Sequence, residues 1–139
     1  MVQQNSVRLA RGFLDALARA DFDAWSLLAA PDVVMVFPYS PPGFPKQISG
    51  RAACVAFQRK VAGSFASFSW IALDLHACDD AELVFGTASS EIVFNSGYRY
   101  SNEYCLLFRI RGGEVSEFRE YFDPLRLMAA FDRAPGAAS

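Results

Sequence analysis

Apolar positions change their spacing partway along the chain, and the change divides helices from strands. Val7, Ala10, Phe13, Leu14 and Leu17 recur at three- and four-residue intervals, one face of a helix that Asn5 or Ser6 can cap. Asp21 offers a cap for a short second helix carrying Phe22, Trp25 and Leu28, which Pro31 closes. The β-branched and aromatic run DVVMVFPY predicts a strand, and the proline-rich SPPGFPKQIS a stiff loop. Ser49 can cap a third helix in which Cys54, Phe57 and Val61 share a face, ending near Gly63. Thereafter the period falls to two. SFSWIALDLHA, ELVFGTASSEIVF, YRYSNEYCLLFRI and EVSEFREYF are joined by the turn-like CDDA, NSG and RGG, an antiparallel meander. Asp123–Pro124 starts a closing amphipathic helix over LRLMAAF, and RAPGAAS is expected to fray.

Helices on one face of such a sheet make an α+β domain, the sheet coiling into a half-open cone around the N-terminal helices. A single domain over residues 1–139 is expected, with its core at about 5–131. The composition, 53% hydrophobic with 13 Phe, supplies a core and leaves aromatic surface to line a cavity.

Strand alternation locates that cavity. In YRYSNEYCLLFRI the inward set is Tyr98, Tyr100, Asn102, Tyr104, Leu106, Phe108 and Ile110, with Asn102 its strongly polar amide. In EVSEFREYF, Ser116, Phe118, Glu120 and Phe122 share a face, and a carboxylate between two phenylalanines needs water, a partner or a ligand. In SFSWIALDLHA, alternation sets Trp70, Ala72, Asp74 and His76 on one side, towards a pocket. It sets Ile71, Leu73 and Leu75 on the other, a convex face suited to a second subunit.

The chain resembles the SnoaL-like branch of the nuclear transport factor 2-like superfamily over about Val7 to Phe131. The strings that carry the likeness are LDALARADFDAWSLLA, DVVMVFPYSPPGFPKQISGR and NEYCLLFRIRGGEVSEFREYFDPL. The resemblance implies a conical α+β roll, dimerisation through the sheet and one deep pocket per subunit. It also implies a choice among isomerase, cyclase, dehydratase and epoxide hydrolase activities, or none. The ketosteroid isomerase set of an Asp base, a Tyr and a protonated Asp falls here on Phe37, Phe13 and Leu106, so that mechanism is excluded.

Charge and cysteine content narrow the partners. A net charge of -2 without a basic stripe argues against nucleic acid, and the apolar runs are too short to span a membrane. Three isolated cysteines, no metal-ligand spacing and no signal-peptide pattern point to a cytoplasmic protein with neither metal nor cofactor. Candidate catalytic groups are Glu120, as a general acid or base or else in a buried ion pair with Arg11 or Arg51, and the neighbours His76 and Asp74. Tyr104 and Asn102 can donate hydrogen bonds to a substrate oxygen or satisfy each other. Tyr39 can gate the pocket or simply end its strand, while Phe37, Phe118, Phe122 and Trp70 complete the expected substrate-binding wall. The reading is a cofactor-free isomerase, cyclase or dehydratase acting on a small apolar carbonyl or polyketide-like molecule. Its alternatives are a non-catalytic binder and a dimeric scaffold domain.

Overall fold

Residues 2–133 are described by the computed structural model, so the fraying expected at the C-terminus falls largely outside the described residues. In chain order they form α1 (Val2–Ala18), α2 (Phe22–Leu28), β1 (Ala29–Val36), β2 (Gln47–Ser49) and α3 (Arg51–Ala62). The strands β3 (Phe65–Ala77), β4 (Leu83–Phe94), β5 (Arg99–Tyr100), β6 (Glu103–Arg111) and β7 (Glu114–Phe122) follow, then α4 (Pro124–Arg133). Local chemistry sets most of these boundaries. Asp21 accepts from the Ala24 amide at 3.1 Å to open α2, and Asp123 accepts from the Leu125 amide at 2.9 Å, with Pro124 as the first residue of α4.

Two caps fall elsewhere than expected. α1 already begins at Val2, so Ser6 lies inside it and donates its hydroxyl to the Ala81 carbonyl at 2.8 Å, tying the helix to the β3–β4 connection. α3 follows Gly50, whose φ of +92° suits glycine, while Ser49 belongs to β2.

The sheet runs β2-β1-β7-β6-β4-β3, with β5 paired to β4. The meander is antiparallel as the turns predict, but β1 runs parallel to β7, so the sheet is mixed. β1 starts before Pro31, which sits where the register against β7 shifts, a place that tolerates a residue without an N–H. Helices cover the inner face of this curved, open sheet, giving the expected cone-shaped α+β fold. Phe13 of α1 anchors them: its ring meets Trp25, Phe108 and Phe118 at centroid distances of 5.1, 5.7 and 5.2 Å.

A β-bulge rewrites the faces of β3. Trp70 pairs with Ser90 and Ile71 with Ser89, yet the next pair is Asp74 with Thr87, and Ala72 carries a φ of +51°. The extra residue shifts the alternation by one. Trp70 and Leu75 therefore face the helices, while Ile71, Asp74 and His76 face out. The expected grouping of Trp70 with Asp74 and His76, and of Leu75 with Ile71, is corrected by this insertion. Gly86 fits against the strand just beyond the bulge: a Cβ there would lie 2.5 Å from Leu75 Cδ2 and 2.6 Å from the Asp74 carbonyl oxygen. No helix among the described residues is long and apolar enough to cross a membrane.

Candidate active site

Between the inner face of the sheet and helices α1, α3 and α4 lies a cavity of about 310 Å³. Inward positions of the strands supply one side of it: Met35, Phe68, Ile92, Tyr100, Tyr104, Glu120 and Phe122. Phe57, Gln58 and Val61 of α3 supply another, and Phe44 from the proline-rich loop meets Phe131 of α4 at 5.2 Å to complete the wall. Most of this lining is hydrocarbon.

Glu120 is the one carboxyl group among the lining residues. Burial without a hydrogen-bonding or ionic partner penalises its charged form and pushes its pKa up to about 8. The two arginines considered as partners lie elsewhere: Arg51 donates to the Ala29 carbonyl, and Arg11 is exposed. At neutral pH the carboxyl therefore carries its proton.

Two phenols stand beside it. Burial, above all, pushes Tyr100 up to about 12 and Tyr104 well above the ordinary range, and the nearby Glu120 charge adds to both. Both remain hydrogen-bond donors throughout the physiological range.

Asn102 sits in the break between β5 and β6, fully buried behind Tyr100, and does not line the cavity. Its Oδ1 accepts from the Glu103 amide at 2.8 Å and the Asp123 amide at 3.0 Å. Two backbone donors thus fix which way the amide points. Its Nδ2 then donates to the Asp123 carbonyl at 3.0 Å and to the Tyr100 hydroxyl oxygen at 2.6 Å. Because that oxygen accepts, the Tyr100 hydroxyl hydrogen points away from Asn102, and a further hydrogen bond links the Tyr100 and Tyr104 hydroxyls. Tyr104 in turn shares a 2.8 Å hydrogen bond with Ser90.

The other expected site residues scatter. Phe37 lines the cavity and packs against Phe57, but Phe118 is buried in the core beneath, between Phe13 and Phe108. Trp70 backs the wall: its Nε1 donates to the Leu14 carbonyl at 3.0 Å and its ring meets Tyr104 edge-on. Tyr39 is 57% exposed and packs on Tyr121 outside the cavity, so the loop contributes Ser40 and Phe44 instead. His76 and Asp74 form a 3.0 Å pair in solvent on the opposite face of the sheet. They cannot reach a molecule in the cavity. Replacing His76 by Ala should leave ligand binding unchanged and stability within about 0.5 kcal/mol, as expected for an exposed pair. A larger loss in a thermal melt would give the pair a role this geometry does not.

Sequence reading missed Tyr100 and Gln58 as lining residues. Tyr100 was already legible on the inward strand face, whereas Gln58 falls on the same helical face as Cys54 and Val61, where a polar residue was the available signal. Among the described residues no group of three or more His, Cys, Asp and Glu could hold a metal ion.

Comparison with known proteins matches the fold. A Bacillus subtilis protein named YesE, itself uncharacterised, is 27% identical over 122 residues, covering 87% of this chain and 83% of its own length. A crystal structure of a candidate isomerase from Bacillus subtilis superposes with a TM-score of 0.83 at 24% identity, covering 95% of this chain and 96% of that one. A candidate polyketide cyclase from Xanthomonas campestris gives 0.81 at 20% identity, covering 94% and 98%. An NTF2-like protein from Burkholderia xenovorans gives 0.74 at 22%, covering 91% and 95%. Residues 10–118 match the SnoaL-like domain, and the chain belongs to that family.

Proposed function

We propose that the protein is a cofactor-free acid/base enzyme that moves a proton on a small, largely apolar carbonyl compound. The observation that carries this reading is the unpartnered Glu120 carboxyl facing a mostly apolar cavity beside two phenol donors. When ionised, Glu120 takes a hydrogen from the carbon next to the carbonyl. The C–H bonding pair moves into the new C=C bond, and the carbonyl oxygen becomes an enolate. Tyr100 and Tyr104 hydrogen-bond that oxygen as its charge develops. Return of the proton from Glu120 to another carbon completes an isomerisation; in a cyclisation the enolate carbon attacks a second carbonyl carbon, the C=O π pair moves onto its oxygen, and that oxygen takes the proton back from Glu120. Burial makes Glu120 a stronger base once ionised than an exposed carboxylate. The isomerase and polyketide cyclase descriptions of the structural neighbours fit chemistry of this kind.

The cavity matches about ten non-hydrogen atoms at the volume one water occupies in the liquid, about 30 Å³. 1-Tetralone is a suitable probe. Incubated with the protein in D2O, it should exchange its α-hydrogens faster than in buffer alone, with a rate that rises with pH through about 8, read by proton NMR. Exchange no faster than buffer, with binding intact, would favour a non-catalytic binding protein. We place a second copy on the outer sheet face, where Ile71 and Phe85 are 40% and 42% exposed, and expect sedimentation as a two-chain particle.

A further inference from the structure

Gln58 lies on α3 among apolar neighbours, is only 6% exposed and lines the cavity. Its Nε2 reaches Met35 Sδ at 3.7 Å, a weak acceptor, and its Oε1 has no hydrogen-bond partner. A buried acceptor left unpaired is costly, and an apolar residue of the same shape would avoid that cost. The packing of the free protein gives no reason for a glutamine here. A ligand donor at this end of the cavity would.

The topology places this amide opposite the phenols. Gln58 packs over Met35 of β1, Glu120 belongs to the adjacent β7, and Tyr104 to β6 beyond it. Register sets Met35 level with Phe118 and Phe108, while Glu120 and Tyr104 lie two and four residues further along their strands, so the strand positions of the two ends are about 16 Å apart, with Glu120 between them. We infer that Gln58 is a substrate-recognition residue, and that the ligand is a rigid two-ended molecule with a carbonyl oxygen at the tyrosine end and a hydroxyl or N–H donor at the Gln58 end. This inference rests on reading the cavity as a carbonyl site, and it narrows the substrate class to hydroxylated or amino-substituted bicyclic ketones.

Calorimetric titration with 1-tetralone and its 5-, 6- and 7-hydroxy derivatives separates the two readings. At least one hydroxy isomer should bind the parent protein about tenfold more tightly than 1-tetralone. In Gln58→Met that advantage should vanish, while 1-tetralone affinity stays within about twofold. The variant should also melt at or above the parent temperature, because the unpaired acceptor is gone. If 1-tetralone binds and no hydroxy isomer binds better, the Gln58 assignment fails and the carbonyl site stands. If the advantage survives in Gln58→Met, or that variant melts several degrees lower, Gln58 is not reading the ligand. If none of the four ketones binds, the carbonyl-site reading fails and takes this inference with it.

Discussion

Replacing Glu120 by Gln should slow α-hydrogen exchange of 1-tetralone by about 10²–10⁴-fold and yet leave the protein more stable than its parent at pH 9. The first effect is the usual contribution of a positioned acid or base. The second follows from proton linkage. In the folded chain the carboxyl titrates at about 8; in the unfolded chain it returns to about 4.3. Between those values the folded state holds the extra proton, so stability falls as pH rises through the window and levels off above it. Integrated over the window, the loss approaches about 5 kcal/mol, an upper figure because the cavity admits water. Against a typical total of 5–15 kcal/mol, that is large. The amide of the Glu120→Gln variant has no such proton to lose. Urea midpoints measured from pH 5 to 9 should slope downward for the parent and run flatter for the variant. Parallel curves, or unchanged exchange, would remove Glu120 from its role.

Asn102→Leu should cost about 3 kcal/mol and lower the melting temperature by roughly 10 °C. The substitution strands four partners at once: the Glu103 and Asp123 amides, the Asp123 carbonyl and the Tyr100 hydroxyl oxygen. Two of these bonds, to the Asp123 amide and carbonyl, fasten the β5–β6 break to the junction of β7 and α4, so their loss loosens the cavity wall as well as the fold. Another holds the Tyr100 hydroxyl by its oxygen and turns its hydrogen away from Asn102. Exchange of 1-tetralone should therefore slow, with the same apparent pKa near 8, because Glu120 itself is untouched. A melt within about 2 °C of the parent would mean that these partners find water without penalty.

Period-two alternation carried the sequence reading a long way on β6 and β7. Tyr104, Leu106, Phe108, Phe118, Glu120 and Phe122 all face inward as their spacing predicts, because both strands keep regular register over those residues. It failed on β3 for one local reason. The bulge at Ala72 inserts a residue, and nothing in the composition of SWIALDLHA marks it, since alanine rarely adopts positive φ. Asp74 and His76 were carried outward by that single shift. Depth was equally illegible. Alternation gives the face of a residue but not whether it reaches the cavity, as Tyr100 does, or sits behind it, as Asn102 and Phe118 do. The parallel pairing of β1 with β7 is set by how the chain returns over the helices, a long-range choice that no single segment encodes.

The most direct test is to read the Glu120 carboxyl itself. With glutamate side-chain carbons labelled by 13C, and Glu120→Gln used to identify the resonance, its carboxyl shift can be followed from pH 4 to 10. A midpoint near 8 that moves when 1-tetralone is added is the result expected of an unpaired acid facing a ligand cavity. A midpoint between about 4 and 5, unmoved by the ketone, would be that of an ordinary solvated glutamate, and would contradict the account.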